Sequence, residues 1–437
     1  MSQLTDAFKQ LNEDTRLVVA YSGGHDSTAL LHVVSRIVPR NRLRALHVQH
    51  DLADRAHDWA AHCSHTCRAL AIDLEVLPVA TWAYRADGPE AAARRARYAA
   101  LATHIAPDEW LVTAHHARDQ AETMLLQALR GAGVAGTAAM PALAPLGAGW
   151  QWRPWRHVEH WVIADYVVQH GIDWIEDPSN ADTALARGRL SETLWPMLTA
   201  AFPAAERTLA RSASHAADAA EAMAALARID LSHARIDSRR LSLAVLTELT
   251  PARRAAALRH WLAELGWDTP ASCHIDEFER LLDARPHASP RVEFGHTELR
   301  VFAGAVWVMR RLGPAPSGSI DWHDGTSIDL PGEAGRLCLV GDGAARSPLT
   351  IDFRRGGERL ARADDGTTRL GRWFYAHGWP LWLRERAPLV YAHGTLIAVA
   401  DAWRHPEIDL WLGRGAGFKW CHELVGDPAT DGQPPDS

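Results

Sequence analysis

The chain has 437 residues, 47% of them hydrophobic, and a formal net charge of -7. That length suits two or three domains with ordinary globular cores, and the charge argues against a generally basic nucleic-acid coat. No stretch approaches the roughly 20 apolar residues of a membrane span, the N-terminus carries no signal-peptide pattern, and five scattered cysteines exclude a disulfide scaffold and fit a reducing cytoplasm.

Leu17 to Tyr21 is short, apolar and β-branched in its middle, which predicts a buried strand. Thr28 to Val38 carries apolar residues at helical spacing and predicts a helix. Between them lie Ser22, Gly23, Gly24, His25, Asp26 and Ser27. The two glycines let the backbone turn tightly and approach a ligand. The helix start adds unpaired N–H groups and a positive dipole end. Together they predict an anion site suited to pyrophosphate; the bland alternative is a capped turn. The common phosphate-loop signature needs a lysine at the helix start, and lysine occurs only as Lys9 and Lys419.

Further along, Leu43 to Gln49, Leu74 to Val79 and Trp110 to Ala114 read as strands. Asp54 to Leu70, Pro89 to Ile105 and Arg118 to Arg130 read as the helices between and after them. This alternation predicts a Rossmann-like α/β fold with a parallel sheet. Ser22, His50 and His115 then fall at or just after strand carboxyl ends, where open α/β sheets bind ligands. Gly131 to Gly149 reads as a long loop, Val158 to His170 as a helix, and Asp177 to Asn180 as a turn or helix start. Phe202 to Leu265 is helical in pattern, and short strands begin after Pro286. Pro314 to Gly318 reads as a linker to a small β-rich domain. The expected domains are therefore a catalytic domain over 1–200, a mainly helical one over 201–315 and an α+β one over 316–426. Residues 427–437 form a tail of disordered composition.

Ala114 to Thr123 is the second informative run. It starts at a strand end, presents His115 and His116, and continues into a helix that Asp119 can cap. Arg94 and Arg97 share one helix face and suit a phosphate or RNA contact, solvated arginines being the alternative. His62, Cys63, His65 and Cys67 match no zinc spacing and read as a helix with half-buried thiols. Phe353 to Arg386 holds eight arginines against four acids, a local positive island that includes Arg354, Arg355, Arg359 and Arg372. Trp373, Trp379 and Trp382 lie within it and read as core packing before base stacking.

The Ser-Gly-Gly-His-Asp-Ser run resembles the loop of the PP-loop ATP pyrophosphatases. In chain order His50, Arg97-Tyr98, His115 to Thr123, Arg130-Gly131 with Gly133, and Arg153-Pro154 extend the likeness. Trp174 with Asp177 to Asn180, Arg354 to Glu358, and Pro380 with Trp382 and Arg384 complete it. Taken together they resemble the tRNA(Ile)-lysidine synthases over nearly the whole chain. The resemblance implies ATP as co-substrate and adenylation of C2 of the wobble cytidine, C34, in a tRNA(Ile) with a CAU anticodon. Attack by L-lysine would then give lysidine, AMP and diphosphate. It implies Ser22, Gly23, Gly24, His25, Asp26, Ser27 and His50 as nucleotide contacts. Asp26 would serve as the Mg2+ ligand, and Asp26, Arg97, His115 and Asp119 as catalytic residues. Asp119 or Glu122 would orient the lysine amine, and Arg354, Arg355, Arg359 and Arg372 would contact tRNA. No membrane partner is implied, and homodimer formation stays open. Arg118 stands where the family carries an acid, Gly188 and Ser191 where it carries Asn and Arg, Gly371 where it carries Lys, and Gln49 where it carries Asn. A thiolase of the same group is the alternative, disfavoured because neither the Ser22 nor the His115 segment holds a cysteine. A non-catalytic tRNA-binding module is a third reading, disfavoured by the intact loop.

Overall fold

A computed structural model describes residues 2–12, 14–50, 56–79, 89–176, 183–282, 291–323, 326–341, 345–364 and 366–422. The chain divides into two compact units, 1–222 and 223–437.

The first unit opens with a helical turn, α1 (Ser2–Thr5), and then alternates strands and helices. These are β1 (Arg16–Ala20), α2 (His25–Ile37), β2 (Leu43–His50), α3 (Ala56–Ala69), β3 (Asp73–Val79), α4 (Pro89–Thr103), β4 (Glu109–Val112) and α5 (Ala117–Leu129). A short α6 (Val134–Thr137), the hairpin β5 (Leu143–Leu146) and β6 (Gly149–Trp152), and α7 (His160–His170) follow. α8 (Ala186–Arg189), α9 (Trp195–Ala201) and the start of α10 (Ala205–Ala234) complete the unit. The strands form one sheet in the order β3-β2-β1-β4-β6-β5, parallel except for the edge strand β5. β1 lies inside it, and its apolar run is buried on both faces, as parallel strands require. Leu17, Val19, Leu30, Leu31, Val34 and Ile163 pack one face. Val18, Leu46, Leu77, Leu101 and Leu111 pack the other. Truncating a fully buried leucine such as Leu31 to alanine costs about 2–5 kcal/mol.

Two expectations change here. Helix α2 begins at His25, three residues before the predicted start at Thr28, so His25, Asp26 and Ser27 form its first turn. The segment read as a loop over 131–149 contains β5 and reaches into β6, which extends the sheet beside β4. Its Ala, Pro and Gly content hid the hairpin. Pro145 is tolerated because β5 is an edge strand. Gly149 is required because a Cβ there would lie 2.4 Å from the Glu109 carbonyl oxygen.

In the second unit, α11 (Leu243–Glu248), α12 (Pro251–Glu264) and α13 (Ser272–Leu282) pack on a four-stranded antiparallel sheet. Its strands are β7 (Arg240–Ser242), β8 (Arg291–Phe294), β9 (Thr297–Phe302) and β10 (Ala305–Arg310). The short β7 escaped the sequence reading because it is three residues long and completes the sheet only by pairing with β10. The chain then forms β11 (Ile320–Trp322), β12 (Ser327–Asp329), β13 (Arg336–Val340), β14 (Leu349–Asp352), β15 (Arg359–Ala361) and β16 (Thr367–Arg369). After α14 (Leu370–Ala376) and α15 (Leu381–Arg384) come β17 (Leu389–Ala392), β18 (Thr395–Val399), β19 (Trp403–Arg404) and β20 (Gly417–Cys421). These strands form antiparallel sheets around Leu349, Ile351, Phe374, Leu389 and Val399. The turn expected at Asp177 to Asn180 and the tail after Gly426 lie outside the described residues.

Candidate active site

The carboxyl ends of β1, β2 and β4 open into one cavity of about 710 Å3, within the range of small-molecule sites. Ser22, Gly24, His25, Asp26 and Ser27 line it, with Arg94 and Arg97 from α4 and His115 and Asp119 from the start of α5. Gly23 adopts φ +84, a left-handed conformation costly for other residues. A Cβ there would also meet Cys63 Sγ at 2.9 Å and Ile175 Cδ1 at 3.1 Å. The turn is therefore fixed by packing from α3 and from the segment after α7. Ile175 N–H donates to the Gly23 carbonyl at 2.9 Å, closing that contact.

Ser22 and Ser27 hydroxyls stand 3.0 Å apart, and Gly24 N–H donates to Ser22 Oγ at 3.3 Å. The glycine turn and the first turn of α2 thus present the Ser22 and Ser27 hydroxyls, backbone N–H groups and the helix dipole to the same cavity. This is a phosphate-binding arrangement.

Asp26 sits in a cage of imidazoles. His25 Nδ1 donates to Oδ1 at 2.8 Å, His160 Nε2 lies 3.4 Å from Oδ1, and His116 Nε2 lies 3.3 Å from Oδ2. Burial alone would raise the Asp26 carboxyl, but the bonds from His116, His160 and His25 outweigh it and hold the group well below the usual carboxylate range. Burial likewise pulls His116 down. The charge of Asp119, the hydrogen bond and charge of Asp26, and the charge of Glu206 overcome it and raise His116 to about 9. His116 is therefore an imidazolium at neutral pH, while its neighbour His115 is driven down to about 4, chiefly by burial. His115 Nδ1 shares a hydrogen bond with Thr113 Oγ1 at 2.9 Å.

Asp119 caps α5 by accepting the His116 backbone N–H at 3.0 Å. It also pairs with Arg187 from α8 and lies 3.5 Å from His116 Nε2. Burial would raise its carboxyl, but the charges of His116, His115 and Arg187 lower it. Glu122, one turn on, is buried between Arg118 at 3.0 Å and Arg187 at 3.5 Å.

Arg97 is exposed on the cavity wall beside Arg94. His50 ends β2, and its side chain lies outside the described residues. Cys63 and Cys67 are fully buried, not half-buried as expected, and burial pushes both thiols up to about 12. That favours packing over metal binding. In the second unit Arg354, Arg355, Arg359 and Arg372 are all exposed. Arg355 pairs with Asp352 at 3.0 Å and Arg359 donates to Thr367 at 2.9 Å. Arg386, counted in the same island, is buried and donates to the Gly313 carbonyl, so it offers nothing to a phosphate. Trp382 is fully buried against Trp307 and Phe302, a core residue as expected.

Sequence reasoning passed over His160, Glu176 and Glu192, which also line the cavity, and met Trp174 only as part of the family likeness. His160 opens α7, far along the chain, and no local spacing ties it to Asp26. Only the apolar pattern of α7 and its docking on α2 would have signalled the pairing.

Residues 1–198 match the family model described as a PP-loop domain. Residues 241–307 match a TilS substrate binding domain, and residues 349–413 match a TilS substrate C-terminal domain. The chain is 40% identical over 416 residues to a tRNA(Ile)-lysidine synthase from Pseudomonas aeruginosa, spanning 92% of each protein. It is 38% identical over 395 residues to one from Alkalilimnicola ehrlichii, spanning 88% of each, and 34% identical over 401 residues to one from Coxiella burnetii, spanning 89% of each.

Proposed function

The chain belongs to the tRNA(Ile)-lysidine synthase family, and on that premise we propose that the cavity beneath Ser22 to Ser27 is where C34 of tRNA(Ile) is converted to lysidine. The reaction is an ATP-dependent ligation. The observation that carries this reading is the convergence of the phosphate-binding turn with His115 and Asp119 in one cavity.

The C2 oxygen of a cytidine is a poor leaving group, and transfer of the adenylyl group of ATP onto it, with release of diphosphate, lets it depart as AMP when the lysine amine attacks C2. Ser22, Ser27 and the N–H groups opening α2 would hold the phosphates of ATP, with Gly23 and Gly24 giving the backbone its close approach. Asp26, kept ionised by its imidazoles, orients those histidines and the turn. It would lend one oxygen to a Mg2+ carried in by the nucleotide, which neutralises phosphate charge when bound. Arg94 and Arg97 on the cavity wall, with the positively charged His116 beside Asp26, would oppose the negative charge that develops on the diphosphate. His115, neutral at working pH, offers a ring nitrogen to the cytidine.

L-lysine is the proposed second substrate. Asp119 and Glu122 are already neutralised by Arg187 and Arg118, so neither is well suited to grip its ammonium groups. Glu176 and Glu192 are exposed on the cavity wall, and they suit that task better. The exposed Arg354, Arg355, Arg359 and Arg372 are proposed as tRNA backbone contacts. The proposed division of labour is catalysis in 1–200 and tRNA binding in 201–315 and 316–426. A cytoplasmic location accords with a tRNA substrate, and no helix among the described residues is long and apolar enough to cross a membrane. A homodimer would have Trp161 and Val168 to cover, exposed two turns apart on α7.

The test is mass spectrometry of nucleosides from an unmodified tRNA(Ile) transcript incubated with the chain, ATP and lysine. Lysidine and stoichiometric AMP are expected. AMP without lysidine, or a thiolated nucleoside when a sulfur donor is added, would overturn the assignment.

A further inference from the structure

We propose that His25, Asp26 and His160 form a binding site for a divalent cation of the zinc class, with one coordination position left open toward the cavity. One ring nitrogen each of His25 and His160 and an Asp26 carboxylate oxygen all lie within 4.8 Å of one another. Two of the three edges measure 2.8 Å and 3.4 Å. Ligand atoms at zinc distances of about 2.0–2.1 Å in a tetrahedron stand roughly 3.3 Å apart. Two edges are therefore near the required spacing, and binding needs side-chain adjustment together with loss of the ring protons that His25 and His160 now direct at Asp26.

The donor set decides the class of ion. Two imidazoles and one carboxylate suit zinc, cobalt or nickel. Mg2+ demands near-octahedral oxygen ligands, and it fits here only as a passenger of the nucleotide phosphates. The ligands are also held in place from behind. His116 Nε2 engages the other oxygen of Asp26 at 3.3 Å. The His25 ring meets the edge of Trp174 at 5.1 Å, and the His160 ring lies against His116 at 4.8 Å. The His160 backbone N–H is anchored on Glu206 at 2.7 Å. Contacts of this kind fix the orientation of the rings and the carboxylate.

Three protein ligands leave a fourth position for water or substrate. His25, Asp26 and His160 all line the cavity together with Ser22 and Ser27, so that position faces the phosphate-binding turn. A phosphate oxygen is the natural fourth ligand. This last step rests on the nucleotide reading of the cavity; the ion site itself does not.

Co2+ alone, added to the full chain without ATP, tRNA or lysine, is the probe. One equivalent giving the intense visible absorption of a four-coordinate ion is expected, displaced by Zn2+ and altered by inorganic pyrophosphate. His160→Gln and His25→Gln should each weaken Co2+ binding at least tenfold with unchanged circular dichroism, and His65→Gln on α3 should not. Absence of the four-coordinate spectrum in the wild type, or its survival in both His160→Gln and His25→Gln, overturns the site. A spectrum indifferent to pyrophosphate overturns the open position. Because the chain's ligase activity is measured separately, loss of lysidine formation with intact Co2+ binding would count against the function and not against this site.

Discussion

The charge on His116 is the most consequential electrostatic inference of the site, and it can be measured directly. The ring is 5% exposed, so burial works against protonation. Two carboxylates work for it, Asp26 at 3.3 Å and Asp119 at 3.5 Å from Nε2, and they prevail. A rise from 6.5 to about 9 corresponds to about 3 kcal/mol favouring the charged form. Because the folded value lies above the unfolded one, this stabilisation is fully present below pH 6.5 and is lost as the pH rises through about 9. The assay is an imidazole titration by NMR on histidine-labelled chain, with the His116 signal assigned by its disappearance in His116→Gln. A midpoint near 9 is expected, and Asp26→Asn should move it down toward the ordinary range by removing one of the two charges. In the pH 6.5–8.5 window the wild type should lose about 2 kcal/mol of local stability relative to His116→Gln, read by hydrogen exchange at the start of α5. A His116 midpoint at or below 6.5 would show that desolvation wins, and the reasoning from the two carboxylates would be wrong.

Asp26→Ala should abolish AMP formation while far-UV circular dichroism stays that of the wild type; near-normal turnover would remove Asp26 from the site. Without lysine, rapid-quench experiments should trap tRNA-bound AMP, since adenylation precedes attack; finding none would favour a concerted route. Arg354→Ala with Arg355→Ala should flatten the salt dependence of tRNA binding by roughly one to two units of slope and leave ATP affinity unchanged. The lower figure is expected if the Arg355 pair with Asp352 persists in the complex, and no change of slope would assign both arginines to the β surface alone.

What could be read in the sequence was local. The strand, turn and helix around Ser22 to Ser27 are consecutive residues whose spacing and glycines declare the anion site. Alternating apolar runs declared the parallel sheet for the same reason. What could not be read depends on chain segments meeting. His160 reaches Asp26 only because α7 docks on α2. β6 is a strand only because β4 offers a free edge. Arg386 looks like a surface cation in a run of arginines, yet the fold buries it. Counting charges along a segment therefore overstated the positive island, because the count is blind to burial.

The departures from the family pattern acquire a physical meaning in the same way. In sequence, Arg118 and Ser191 are two separate departures from what the resemblance leads one to expect, an acid and an arginine. In space they touch, with Arg118 Nη2 donating to Ser191 Oγ at 2.7 Å. An arginine at both positions would set like charges against each other, and an acid at 118 beside a serine at 191 would leave a carboxylate next to Glu122. Here Arg118 turns to Glu122 at 3.0 Å and lies over the Trp195 ring at 5.3 Å. Glu122 consequently shares Arg187 and Arg118, and Arg187 remains available to Asp119. Asp119 and Glu122 are thus both neutralised in this chain, with Arg118 supplying a positive charge on the same helix as the two carboxylates.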